Sequence, residues 1–119
     1  MSIRQNRPCG RKLGSPEQLA GTLAELVMGW GVAPDRFLVG NGSWMPRWRF
    51  QPTKDLEDAF RLLDAADPEE CIIHMRRGST WVVQVRIGAD LGDAQDACKP
   101  RAITIAVARA LGLEVSACD

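Results

Sequence analysis

The stretch Trp44-Met45-Pro46-Arg47-Trp48-Arg49-Phe50 sets two of the chain's four tryptophans among two arginines. Guanidinium groups grip phosphate oxygens bidentately and indole faces stack on bases, so the combination suits a planar, phosphorylated ligand. A second group of polar and basic residues follows in His74, Arg76, Arg77 and Arg86. If these converge on an exposed tryptophan, together they recognise a small nucleotide without any excess of positive charge over the whole chain. The competing reading is structural. In an extended segment Arg47 and Arg49 project to one side and Trp48 and Phe50 to the other, which describes a strap over the core with a basic outer edge. Trp44 and Trp48 therefore belong either to the core or to a ligand loop. Trp30 and Trp81, at helical and strand spacing, read as core.

Residues for covalent or metal chemistry are sparse. The four cysteines, Cys9, Cys71, Cys98 and Cys118, are scattered, and His74 is the single histidine. Zinc sites bring their ligands in close pairs, so neither a metal nor a cofactor is expected. Cys71 and His74, three apart in a strand, fall on opposite faces and make no nucleophile–base pair. Binding is expected, not catalysis. The net charge of 119 residues is zero, which argues against a generic duplex-DNA binder working by bulk electrostatics, and no sequence-specific DNA binding is expected. The charge is uneven: residues 1–49 hold seven Lys/Arg against three Asp/Glu, whereas residues 50–70 hold two against seven. No apolar run approaches the roughly 20 residues that span a bilayer. The basic start has no hydrophobic stretch after it, so no membrane partner is expected and a cytoplasm is the expected compartment.

The elements that must position these residues follow from caps and periodicity. Residues 1–14 read as a flexible basic arm, and 15–119 as one domain. Ser15-Pro16-Glu17-Gln18 is a helix start, and Leu19, Leu23, Leu26, Val27 and Trp30 continue at helical spacing over 16–29. Thr53 is the expected N-cap of a second helix whose stripe is Leu56, Phe60 and Leu63, broadened by Ala59, Leu62 and Ala66. Two strand-like runs, 71–75 and 80–87, form a hairpin across a three-residue loop, Arg76-Arg77-Gly78. That register gathers Cys71, Ile73, Met75, Trp81, Val83, Val85 and Ile87 on one face and His74, Gln84 and Arg86 on the other. Gly88 to Pro100 reads as a polar loop, and 101–111 as a third helix stopped by Gly112. The fold class is α/β, a small layered sandwich with an antiparallel sheet of three to four strands and three helices.

Several of these segments resemble the phage ABA sandwich domain family. They are Leu26-Val27-Met28-Gly29-Trp30, Trp44-Met45-Pro46, and Phe50-Gln51-Pro52-Thr53-Lys54-Asp55 leading into a helix with Ala59. Trp81 in a strand and the closing Ala110-Leu111-Gly112-Leu113-Glu114-Val115 continue the likeness. It spans about residues 15–115, and the basic arm and Arg47–Arg49 depart from it. The resemblance implies a phage origin and a layered α/β fold, and it implies no reaction. Small accessory phage proteins are often counter-defence factors. By that analogy the expected partner is either a small nucleotide-like immune signal of the host, held by Trp44, Arg47, Trp48, Arg49, His74, Arg76, Arg77 and Arg86 in a homo-oligomer, or a host defence protein blocked by contact through the charged faces, as anti-CRISPR proteins do; the third reading is a structural or regulatory phage accessory protein. Both would act in the cytoplasm of the bacterial host cell.

Overall fold

A serine that caps and a proline without an N–H begin the first helix. In the computed structural model, which describes residues 12–13, 15–40 and 42–115, the Ser15 side chain accepts from the Gln18 N–H at 3.1 Å and α1 runs Pro16–Leu23. Its continuation, Ala24–Met28, widens into a π-helical turn. The widening rotates Leu26 out of the expected stripe, leaving it 56% exposed, while Leu19 and Leu23 stay buried.

Three short strands follow, β2 (Gly31–Val32), β3 (Arg36–Leu38) and β4 (Trp44–Pro46), forming one antiparallel sheet in that order. The second helix, α2 (Leu56–Ala66), is capped by Asp55, not by Thr53. The Asp55 carboxylate accepts from the N–H groups of Glu57 at 2.9 Å and Asp58 at 3.4 Å. This start turns the expected Ala59, Leu62 and Leu63 inward and leaves Leu56 and Phe60, also expected in the stripe, each 38% exposed.

The second sheet contains β5 (Glu70–Arg76), β6 (Thr80–Ile87) and β7 (Asp90–Asp96), antiparallel throughout, with β6 central. Met75 pairs with Trp81, Ile73 with Val83 and Cys71 with Val85, so the two faces are those expected. The hairpin loop is Arg77-Gly78-Ser79, one residue later than expected, because Arg76 still pairs with Thr80. The expected polar loop after Gly88 is instead strand β7, fully paired to β6 from Asp90 to Asp96. Its polarity misled because only Gly92 and Ala94 are buried.

Helix α3 (Lys99–Ala110) is the centre of the molecule. Every residue from Ala102 to Ala108 is buried, as expected of a helix packed on all sides. One side lies against β6 and β7, and the other meets α2 and the chain at Pro52–Thr53. A Cβ at Gly92 would overlap the backbone carbonyl of Ala106 and the amide of Ala110, so strand and helix touch backbone to backbone there. The Thr104 hydroxyl, fully buried, donates to the Pro52 carbonyl at 2.8 Å. Lys12–Leu13, inside the segment expected to be an arm, pair as β1 in parallel with β8 (Glu114–Val115). The remainder of that segment lies outside the described residues.

Candidate functional site

Pro46 is extended, and it ends β4 by turning the chain into a single 3-10 turn, Arg47–Arg49. The period of that turn breaks the alternation an extended strap would impose. Phe50 is 1% exposed and meets Trp30 edge-on at 5.1 Å between ring centres, with Phe37 at 5.9 Å. Trp48 projects outward and is 69% exposed, and Trp44 is 50% exposed. The core-strap reading therefore holds for Phe50 and fails for both tryptophans. Trp30 packs at the core edge against Phe37 and Phe50, as its spacing indicated.

Beside Trp48 lies a cavity of about 300 Å³. Ala20, Phe50 and Thr53, all buried, form its floor. Its rim is made by Glu17 at the start of α1, Asp35 between β2 and β3, Trp48, Gln51 and Lys54. The segment 51–54 is fixed from behind. The Asp58 carboxylate, itself buried, accepts from the Gln51 N–H at 2.9 Å, and the Gln51 carbonyl accepts from the amides of Lys54 and Asp55. Thr53 is 6% exposed, yet among the described residues its hydroxyl has no hydrogen-bond partner. A buried hydroxyl without a partner costs free energy, and one lining a cavity is satisfied by whatever fills that cavity.

Arg47 lines the same cavity but its guanidinium is engaged. It donates to the Ala33 carbonyl at 3.0 Å and to the Glu17 carbonyl at 2.9 Å, and lies 4.8 Å from the centre of the Phe37 ring. Gly21 makes room for it: a Cβ there would stand 2.9 Å from the guanidinium. Arg47 thus joins α1 to the β2–β3 turn. Arg49 sits 6.0 Å over the Trp48 ring and Arg36 sits 4.3 Å over Trp44.

The other sequence-indicated residues stand elsewhere. His74, Arg76, Arg77 and Arg86 belong to the β5–β6 hairpin, and none of them lines the cavity. Arg86 pairs with Glu70 at 3.4 Å across the strands, whereas His74 and Arg76 are exposed. The expected convergence of five arginines with a tryptophan therefore does not occur within one chain: Arg47, Trp48 and Arg49 form one group, and the hairpin residues another. Cys71 is half-buried on the face opposite His74, and burial pushes its thiol pKa up. Among the described residues no group of three or more His, Cys, Asp or Glu side chains is placed to hold a metal ion.

The fold has a relative of known structure. It is similar to a phage protein. A crystal structure at 2.0 Å of a phage protein from Bacillus cereus ATCC 14579 superposes with a TM-score of 0.71 over 87% of this chain and 94% of that one. Sequence identity between them is 12%, so the likeness is one of fold. The sequence matches no family model and no curated protein. The sequence does not mark Glu17, Asp35, Gln51, Thr53 or Lys54 as cavity residues, because they come from separated segments and Thr53 reads there as a helix cap. The run Gln51-Pro52-Thr53-Lys54 carried one usable signal: a polar stretch interrupted by proline between Phe50 and a capped helix reads as a turn.

Proposed function

We propose that this chain is a phage-encoded, non-enzymatic binding protein of the ABA sandwich kind that sequesters a small nucleotide-type signal of the host's immune response. The single observation that carries the proposal is the cavity beneath Trp48. An indole left in solvent beside a concave site offers a stacking face, and the floor holds the side chains of Ala20, Phe50 and Thr53. The phage source of the structural neighbour and the sequence resemblance support the biological setting. In that setting the protein works in the host cytoplasm, and as a homo-oligomer it would multiply the sites per particle.

The test is native mass spectrometry of wild type and Trp48→Ala after incubation with lysate of infected bacteria. Wild type should carry an added mass in the nucleotide range that denaturation releases, and Trp48→Ala should be empty. Since Trp48 is 69% exposed, its loss should change stability by no more than ~0.5 kcal/mol, so emptiness will not reflect unfolding. Empty wild-type protein would overturn the proposal. A second reading, inhibition of a host defence protein by contact, is favoured by the outer face of β3–β4, where exposed Leu38 pairs with exposed Trp44. A retained host polypeptide lost on Trp44→Ala would select it.

A further inference from the structure

The rim of the cavity is polarised. Glu17 and Asp35, both exposed carboxylates, come from α1 and the β2–β3 turn, whereas Lys54 comes from the chain between β4 and α2. Among the described residues the Asp35 carboxylate has only the loose 3.7 Å contact with its neighbour Arg36, and the Asp35 carbonyl accepts from the Arg47 N–H at 3.3 Å. Arg47, also in the lining, donates to the backbone carbonyls of Ala33 and Glu17 and not to either carboxylate. An ionised carboxylate accepts hydrogen bonds and donates none. The Glu17 and Asp35 carboxylates therefore favour a ligand edge with N–H donors, while Lys54 takes an anion.

Resting on the reading that the Trp48 cavity is a ligand site, we infer that it selects a guanine nucleotide, with the base stacked on Trp48, its donor edge toward Glu17 and Asp35, and its phosphate toward Lys54. Guanine presents two adjacent N–H donors, N1–H and the 2-amino group, which match the two oxygens of one carboxylate. Adenine offers on its equivalent edge one donor beside an acceptor, and the acceptor meets the carboxylate lone pairs. Hypoxanthine keeps N1–H but lacks the 2-amino group. The Thr53 hydroxyl, buried in the floor, takes a polar atom of the base or sugar. Sites built to hydrogen-bond a particular group discriminate strongly against ligands lacking it, because the site's own polar atoms are then left unpaired.

Titration calorimetry with GMP, IMP and AMP tests this on wild type, on the double variant Glu17→Gln/Asp35→Asn, and on Lys54→Ala. The expected order is GMP over IMP over AMP, with GMP at least tenfold tighter than AMP. The double variant should bring the three within threefold of one another. Lys54→Ala should weaken all three nucleotides alike and weaken guanosine little. Equal affinities for wild type, a preference for AMP, or a GMP preference that survives the double variant would overturn the guanine assignment and leave the binding function standing. Failure of folded wild type to bind any of the three would overturn both.

Discussion

Replacing Arg47 by alanine removes two hydrogen bonds from a charged donor and a cation packed over an aromatic ring. A hydrogen bond to a charged group contributes about 1.5–3 kcal/mol when buried. The bond to Ala33 is part-buried and that to Glu17 is exposed, so we count the first at about 1.5 kcal/mol and the second at about 0.5 kcal/mol. The contact with Phe37 at 4.8 Å adds about 0.5–1 kcal/mol. The sum is roughly 3 kcal/mol, and a domain of this size loses about 3–5 °C of Tm per kcal/mol. Thermal denaturation followed by circular dichroism should therefore place Arg47→Ala about 10 °C below wild type. Gly21→Ala, which forces the guanidinium away from α1, should show part of the same loss. An Arg47→Ala variant that melts within a degree of wild type and yet fails to bind would refute the reasoning. Arg47 would then be a ligand group and not a pin between elements.

Gly92→Ala should be severely destabilising, by 3 kcal/mol or more, since the new methyl meets the backbone of α3 and not a side chain that swings aside. Urea denaturation checks it, and a midpoint equal to wild type would contradict the packing. Glu69 gives a dependence on pH. The Gly88 N–H donating to its carboxylate at 2.6 Å, helped by its own backbone N–H and by Arg86, lowers its pKa below the ordinary value of 4.5. A lowered pKa means stability present above 4.5 and lost as pH falls through the folded-state value. The Tm difference between wild type and Glu69→Gln should accordingly be constant near neutrality and vanish on acidification below that value. A difference that persists unchanged into strong acid would show that the carboxylate charge plays no part.

Legibility in the sequence followed how local the deciding interaction is. Ser15 reaches Gln18 within one turn, so the start of α1 is written in adjacent residues. The hairpin faces were readable because a period of two admits only two answers, and segregation of apolar side chains picks one. Strand β7 was not readable. Its sequence, Asp-Leu-Gly-Asp-Ala-Gln-Asp, carries almost no strand preference, and the pairing with β6 and the closeness of α3 hold it in place. In retrospect Gly92 and Ala94, alternating with Asp93 and Gln95, are the small residues a tightly packed helix demands. Trp48 was ambiguous for a similar reason: an extended chain and a 3-10 turn place it on opposite sides, and the choice depends on Arg47 reaching carbonyls 14 and 30 residues away. The cavity was invisible because its walls come from three separated segments.

The backbone contact between Gly92 and α3 bears on the kinetics of recognition. With no side chain between them to act as a bearing, the helix is held against sliding or rolling on the sheet, and through Thr104 and Cys98 it holds the Pro52–Thr53 backbone, of which Thr53 lies in the cavity floor. Only rim side chains remain free to adjust. If the cavity binds as proposed, a site with so fixed a floor meets its ligand preformed, without a closure step on the path to the complex. Discrimination among related ligands must then reside in how long each one stays, not in how quickly it arrives.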